Sequence, residues 1–361
     1  MYKLHKLCRK GNVNLVKKYL SNPDFNVKFL NQKNKQGQTP FHIACLGGHI
    51  DIIELLISTN GFSSLNEKDN EGNTPLNNVC KKTTYACDET DVDIVKILIS
   101  TDGFNSINEP SNFGIVPLHH CSDSNIDIIK LLISTHGFNS LNNKTSSGGT
   151  AFHFACNDGN INIVKLLIST PGFTTDGDKS TLKERDNDGL SPFHMACRNG
   201  HTDIVELLIS INGYSSINEK DNDGRTPFNW ACHSPIVNVP KLLISTKGDE
   251  TTDGFNSLNE KDNYGATPFL VTCQSGWIDT VKLIISTDGF NSLNEENNHG
   301  GTPLSCAYYW GYVDIVKLLL EQKNIIVKDK YDHLGRMSPE TKKQLRTLIE
   351  EYKKNKINSS D

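Results

Sequence analysis

Apolar residues recur along the chain in pairs of short clusters, with a glycine break inside each pair. In the clearest copy the first cluster is Phe41, Ile43 and Ala44, and the second runs from 52 to 57 at helical spacing. Gly47 starts the break between them. A Thr-Pro pair precedes the first cluster, and Pro suits a first helical position because that N–H lacks a helical partner. The pattern therefore predicts a helix–turn–helix unit followed by a loop.

The unit repeats along the whole chain. The Pro of the Thr-Pro pair, or its equivalent, falls at eight positions: Pro40, Pro75, Pro117, Ala151, Pro192, Pro227, Pro268 and Pro303. Most copies follow each other after about 35 residues, and the longer steps contain insertions near 83–90, 174–179 and 247–252. A unit this small cannot bury its own apolar faces, so neighbouring units must stack.

These phrases resemble the ankyrin repeat, over roughly residues 2–340. The resemblance is carried by TPFH at 39–42, a downstream Gly-His, DIVELLIS at 203–210 and the returning LNEKDN at 65–70. It implies an all-α repeat solenoid, an ankyrin-repeat array of helix–turn–helix units joined by β-hairpin loops. The connecting loop, as at 58–72, is two residues longer than the usual ankyrin hairpin, and we therefore expect longer hairpin fingers.

The ends of the chain depart from the repeat in a way that is typical of caps. Residues 1–36 are predicted to be an N-terminal capping repeat because they keep the pattern but carry more Lys and Arg. Residues 337–354 have a single apolar stripe and predict a C-terminal capping helix. Residues 355–361 are expected to be a flexible tail. Between the caps, 37–336 is divided into eight repeats that start near 37, 72, 114, 148, 189, 224, 265 and 300.

Composition narrows the class of partner. The 361 residues have a net charge of −5, which argues against a nucleic acid or an anionic membrane surface as the main partner. No apolar run is long enough for a membrane span, and the first ten residues contain no apolar signal region. Ten evenly spread cysteines favour a reducing compartment. We expect a cytoplasmic monomer, with a nuclear location also compatible, and no cofactor.

The cysteines and histidines follow the repeat register. One register near the end of the first helix holds Cys8, Cys45, Cys80, Cys121, Cys156, Cys197, Cys232 and Cys273, which predicts small buried residues and no zinc site. Cys306 lies two positions early, and Cys87 falls in an insertion, where it is the candidate for an exposed reactive thiol. The Thr-Pro-x-His position holds His5, His42, His119, His153 and His194, for which a structural role is expected.

The remaining chemistry is sparse. Acidic strings such as DNDG at 186–189 lack the glutamate that a calcium-binding loop needs at its last position, and they predict turns. The chain has no nucleotide-binding, zinc-protease, hydrolase or kinase motif. Only the insertion at 81–91 offers reactive residues outside the register, so we do not expect an enzyme.

The resemblance implies one modification. The hairpin position that is β-hydroxylated in some ankyrin proteins is occupied by Asn66, Asn108, Asn142, Asn218, Asn259 and Asn294. The alternative interpretation is that asparagine recurs there for its turn geometry and hydrogen bonds.

Some positions differ from repeat to repeat although the surrounding repeat residues recur. These variable positions indicate a surface for a partner. In the family this surface is the concave face made of hairpin tips and first helices. Phe113 and Ile115 place apolar groups on one tip. Aromatic residues and arginine are typical of interface hot spots, and a groove is expected along Asp158, Arg198, Arg225, Tyr264, His299, Tyr309 and Trp310. Trp230 occupies an apolar first-helix position and is expected in the core, and Trp277 is expected to be structural.

The resemblance implies a non-enzymatic scaffold that binds a partner protein in this concave face. An adaptor that delivers a bound protein to a ubiquitin ligase, the proteasome or a signalling complex is the alternative. An enzyme or a tether for membrane proteins is less favoured.

Overall fold

The computed structural model describes residues 2–83, 88–120, 126–175, 180–211, 216–248, 254–328 and 337–358. The chain divides into two compact units. Unit 1 is Met1–Thr174 with Lys179–Asn187, and unit 2 is Thr175–Asp178 with Asp188–Asp361. Within the described ranges all regular elements are helices. Each unit is a series of antiparallel helix pairs in which every first helix packs on the first helices of its neighbours.

Unit 1 contains five helix pairs among its described residues. They are α1 (Lys3–Lys10) with α2 (Val13–Leu20), α3 (Pro40–Leu46) with α4 (Ile50–Ile57), α5 (Pro75–Thr83) with α6 (Glu89–Ser100), α7 (Pro117–His120) with α8 (Ile126–Ser134), and α9 (Ala151–Asp158) with α10 (Ile161–Ile168). Short 3₁₀ turns lie at Val27–Phe29 and Thr181–Lys183.

Unit 2 contains four helix pairs and a longer last helix in its described part. They are α11 (Pro192–Asn199) with α12 (Thr202–Ser210), α13 (Pro227–Ala231) with α14 (Asn238–Ser245), α15 (Pro268–Ser275) with α16 (Ile278–Ile285), α17 (Pro303–Trp310) with α18 (Val313–Leu320), and α19 (Pro339–Asn358); a 3₁₀ turn lies at Ser216–Asn218. Helix α19 reaches into the expected tail, of which 359–361 lie outside the described residues.

The helix starts follow from the Thr-Pro phrase. The Thr39 side chain accepts a hydrogen bond from the backbone N–H of His42, and Thr267 caps α15 in the same way. The histidine of the phrase then joins one repeat to the next, since Nε2 of His42 lies 3.3 Å from the carbonyl oxygen of Asn73. In α5 this position is Asn77, whose Nδ2 donates to the Glu109 carbonyl at 3.0 Å. These contacts explain the structural role that we expected for the histidines.

Phenylalanines are the largest fully buried side chains of the described residues. The Phe of the Thr-Pro-Phe phrase is fully buried in five repeats: Phe41, Phe152, Phe193, Phe228 and Phe269. In four of them a second Phe from the following loop packs edge-on against the first, as Phe290 does against Phe269 at 4.6 Å between ring centroids. The loop thus contributes an aromatic side chain to the packing of the first helix, and the greater length of the hairpin fingers stays a prediction.

The register cysteines lie in this core wherever the structure describes them. Cys8, Cys45, Cys80, Cys156, Cys197, Cys232 and Cys273 are buried, and Cys306 is half-buried. Burial raises the pKa of the Cys8 thiol to about 12, so the reactive thiolate is disfavoured there. Cys87 and Cys121 lie outside the described residues, as do 84–87, 176–179 and 249–252 of the three insertions.

The loop tips are tight turns rather than paired strands. In one tip the N–H of Asp69 donates to the Asn73 carbonyl at 2.9 Å, while Oδ1 of Asp69 accepts from the N–H groups of Glu71 and Asn73. Neighbouring tips are linked through asparagine: Asn263 donates from its backbone N–H to the Asp223 carbonyl and from Nδ2 to the Asn222 carbonyl. Gly224 beside this link has φ of 76°, and a Cβ there would lie 2.5 Å from Oδ1 of Asn263.

The helices of the described ranges are all too short or too polar to span a lipid bilayer.

Candidate partner-binding surface

In unit 1 the predicted surface residues lie at a loop tip and at a helix end. Phe113 is 57% exposed, and its carbonyl accepts a hydrogen bond from the N–H of Ser146 on the next tip. Ile115 is half-buried. Asp158 ends α9, is exposed, and accepts a hydrogen bond from Asn157. The predicted residues from Arg198 onward belong to unit 2.

In unit 2 three of the predicted surface residues, Arg198, Arg225 and Tyr264, lie close together beside Trp230. The guanidinium carbon of Arg225 lies 4.9 Å from the ring centroid of Trp230 and 5.5 Å from that of Tyr264, which belongs to the next repeat. Arg198, at the end of α11, lies 4.9 Å from the same Trp230 ring. We call Arg198, Arg225, Trp230 and Tyr264 the Trp230 cluster.

Trp230 is half-buried, so its expected place in the core was wrong. Its Nε1 donates to Oδ2 of Asp221 at 2.8 Å, and an indole N–H normally requires such a partner. The position three residues after the proline lies at the edge of the first helix, where Ile43 is buried but Phe154 is only half-buried. The polar residues Asn78 and His120 at this position in other repeats were the sequence signal that we missed.

The turn that contains Asp221 and Asp223 holds residues of the Trp230 cluster in place by hydrogen bonds and an ion pair. Oδ1 of Asp221, which is 8% exposed, accepts hydrogen bonds from the N–H groups of Asp223 and Arg225 at 2.9 and 2.8 Å. Asp223 in turn forms an ion pair with Arg225 at 3.0 Å and accepts a hydrogen bond from the Tyr264 hydroxyl at 3.3 Å. The acidic string at this tip therefore fixes the turn and the side chains that the turn presents.

His233 extends the cluster without adding charge near neutral pH. Its ring centroid lies 5.4 Å from that of Trp230. Burial lowers its pKa, the hydrogen bond to the Asn229 carbonyl opposes this, and the nearby charges of Arg225 and Arg198 lower it further. Nε1 of Trp277 donates to the His233 carbonyl at 3.0 Å, a structural contact of the kind that we expected for Trp277. The cations of the cluster are thus its two arginines.

A second surface feature of unit 2 lies around α17. Tyr309 and Trp310 are 37% and 39% exposed, and their rings meet edge-on at 5.3 Å. Together with His299 they line a cavity of about 710 Å³, whose wall also includes Cys306 and Lys328. Three of the predicted partner-binding residues therefore surround one cavity.

The asparagines predicted as hydroxylation positions hold the loop of the following repeat. Nδ2 of Asn66 donates to the Gly103 carbonyl at 2.7 Å, and its Oδ1 accepts from the N–H of Asn105 at 3.1 Å. Equivalent pairs of bonds are made by Asn108, Asn218, Asn259 and Asn294, whereas Asn142 accepts from the Thr181 hydroxyl. Asn31 makes the same bonds and was missed, although the sequence 30–33 matches 65–68. Hydroxylation itself stays a prediction.

Replacing Asn259 by Ala is expected to lower the free energy of unfolding by about 1–2 kcal/mol, because two hydrogen bonds between repeats are lost. Chemical unfolding followed by circular dichroism measures the change. The control is Asn256→Ala in the same loop, since the side chain of Asn256 is exposed and only its backbone N–H takes part in a clamp. Equal effects of the two substitutions would show that the asparagine clamp does not stabilise the stack.

A family model described as ankyrin repeats in three copies matches the chain in four segments, residues 4–85, 83–178, 175–254 and 239–330. The matched segments together cover most of the chain, including the Trp230 cluster and the residues of α17.

Proposed function

Because this chain belongs to the ankyrin-repeat family, whose repeats are generally modules for protein–protein interaction, we propose that it is a non-enzymatic scaffold that holds a partner protein on unit 2. The binding surface would consist of the Trp230 cluster and the cavity beside Tyr309 and Trp310. Phe113 on a tip of unit 1 is proposed as a separate contact for a protein partner.

The observation that carries the proposal is the exposure of aromatic and arginine side chains at variable positions of a constant frame. Buried phenylalanines, the asparagine clamps and the tip turns account for the residues that recur. They do not account for Tyr264, Tyr309 and Trp310, which remain between 37% and 48% exposed. Tyrosine, tryptophan and arginine are the residues most enriched in interface hot spots, so these positions favour a protein partner.

We further propose that the scaffold acts as a monomer in the cytoplasm. The net charge of −5 gives no general attraction to nucleic acid or to anionic lipid. The described core holds free, buried thiols at Cys8, Cys45, Cys156, Cys232 and Cys273, as is typical of proteins from a reducing compartment.

Affinity capture with the full chain tests the proposal. Proteins retained from native lysate are purified and titrated against the wild type, a Trp230→Ala/Tyr264→Ala variant and the control Lys241→Ala, which changes an exposed residue of α14. We expect at least one protein to bind the wild type and the control with equal affinity and the double variant more than tenfold more weakly. Equal binding to the folded double variant would remove the Trp230 cluster from the site, and the absence of any direct binder would contradict the scaffold function.

A further inference from the structure

The two arginines that contact Trp230 differ in their charge partners. Arg225 is half-buried and forms an ion pair with Asp223 at 3.0 Å. Arg198 is exposed, and within the described part of the chain it forms no ion pair. One guanidinium of the cluster is therefore ion-paired within its own repeat, whereas the other forms no ion pair within the described residues.

A comparison with unit 1 shows that an internal partner is available to this helix position elsewhere. Lys81 occupies the position of Arg198, directly after the register cysteine, and it forms an ion pair with Glu71 of its own loop tip at 3.1 Å. In the repeat of Arg198 the corresponding tip residue is Asp188, which is one methylene shorter than glutamate. Arg198 instead has its guanidinium carbon 4.9 Å from the Trp230 ring.

The contact with Trp230 prepares Arg198 for a planar anionic ligand. A guanidinium near an aromatic face gains cation–π attraction, and the ring restricts the side-chain freedom that binding would otherwise remove. A guanidinium presents parallel N–H donors that match the two oxygens of a carboxylate. The Trp230 ring is itself fixed by its hydrogen bond to Asp221 at 2.8 Å.

We propose that Arg198 and Trp230 form a subsite for a carboxylate of the partner protein, an Asp or Glu side chain in an extended acidic segment. This inference rests on the proposed scaffold function and specifies the partner's chemistry. The argument for an acidic occupant is charge complementarity at Arg198, which is the arginine of the cluster that forms no ion pair within the described residues. Tyr264, 48% exposed and 5.5 Å from Arg225, would receive an apolar residue of the same segment.

A random dodecapeptide library displayed on phage provides the test. It is selected in parallel on the full wild-type chain, Arg198→Gln, Arg198→Lys and the charge control Lys241→Gln. We expect the wild type and Lys241→Gln to enrich one position in Asp or Glu, and Arg198→Gln to lose that enrichment. Arg198→Lys keeps the positive charge but lacks the planar guanidinium with its parallel N–H donors. We expect this variant to enrich Asp or Glu at that position more weakly than the wild type does. Circular dichroism confirms that each variant is folded.

The best wild-type peptide is then synthesised with Glu, Gln or phosphoserine at the enriched position. Glu should bind the wild type about tenfold more tightly than Gln, and the two should bind Arg198→Gln equally. Peptides without an acidic position, or an acidic preference that survives Arg198→Gln, would overturn the subsite and leave the scaffold function standing. Tighter binding of phosphoserine than of Glu would replace the carboxylate by a phosphopeptide. A library without any enriched peptide would contradict both proposals.

Discussion

Replacing Phe269 by Ala is expected to lower the free energy of unfolding of the chain by about 3–5 kcal/mol. Phe269 is fully buried at the start of α15, and its ring packs edge-on against Phe290 from the following loop at 4.6 Å. The substitution removes the apolar surface that the ring buries and leaves a cavity that rigid helices fill only in part. It also ends the aromatic contact, which contributes about 0.5–1.5 kcal/mol of its own.

Guanidinium unfolding, followed by circular dichroism, measures this loss, because the helical signal reports unfolding in both units, whereas all three tryptophans of the chain lie in unit 2. Phe113→Ala is the matched control. It removes the same side chain from a position that is 57% exposed, and a change within about 0.5 kcal/mol is expected. Adding Phe290→Ala to the wild type and to the Phe269→Ala variant completes a double-mutant cycle, which isolates the energy of the contact between the two rings. If Phe269→Ala were no more destabilising than Phe113→Ala, burial of the first-helix phenylalanine would not stabilise the stack.

The recurring frame could be predicted from the sequence because each of its residues solves the same packing problem in every repeat. The Thr-Pro phrase marks the start of the first helices, including α3 and α15, and the register cysteines predict a buried helix face. Repetition averages out the local ambiguity of any single copy. A pattern that is seen eight times therefore predicts helix starts and core positions well.

The candidate surface was harder to predict because it depends on positions that do not repeat. Trp230 occupies a position that is buried when the residue is Ile43, but its indole N–H requires a hydrogen-bond partner and finds it in Asp221. The ion pair of Arg225 with Asp223 depends on side-chain length and on turn geometry, and so does the lack of an ion pair at Arg198 within the described residues. Neither is encoded in the periodicity of apolar residues. The loop phenylalanines were missed for a similar reason, since nothing in the pattern shows that they pack against the phenylalanines of the first helices.

Lowering the pH from 7.5 to 5.0 is expected to destabilise the wild type by about 2 kcal/mol more than it destabilises a His119→Asn variant. Burial lowers the pKa of His119 from 6.5 to about 4, although its hydrogen bond to the Asn143 carbonyl opposes the shift. Nδ1 of His119 accepts the N–H of Val116 at 3.0 Å, so a proton added at this nitrogen would displace that bond.

The sign of the effect follows from where the proton binds. Because the pKa of His119 is lower in the folded chain, the unfolded chain takes up a proton first as the pH falls below about 6.5. The contribution of the neutral histidine to stability is therefore complete above pH 6.5 and is lost progressively down to about pH 4. Asparagine at the same position cannot titrate, and the chain already uses it at Asn77, where Nδ2 donates to the Glu109 carbonyl at 3.0 Å. Unfolding midpoints by circular dichroism at both pH values give the double difference. Parallel pH profiles would mean that His119 is protonated in the fold, in which case burial does not control its charge.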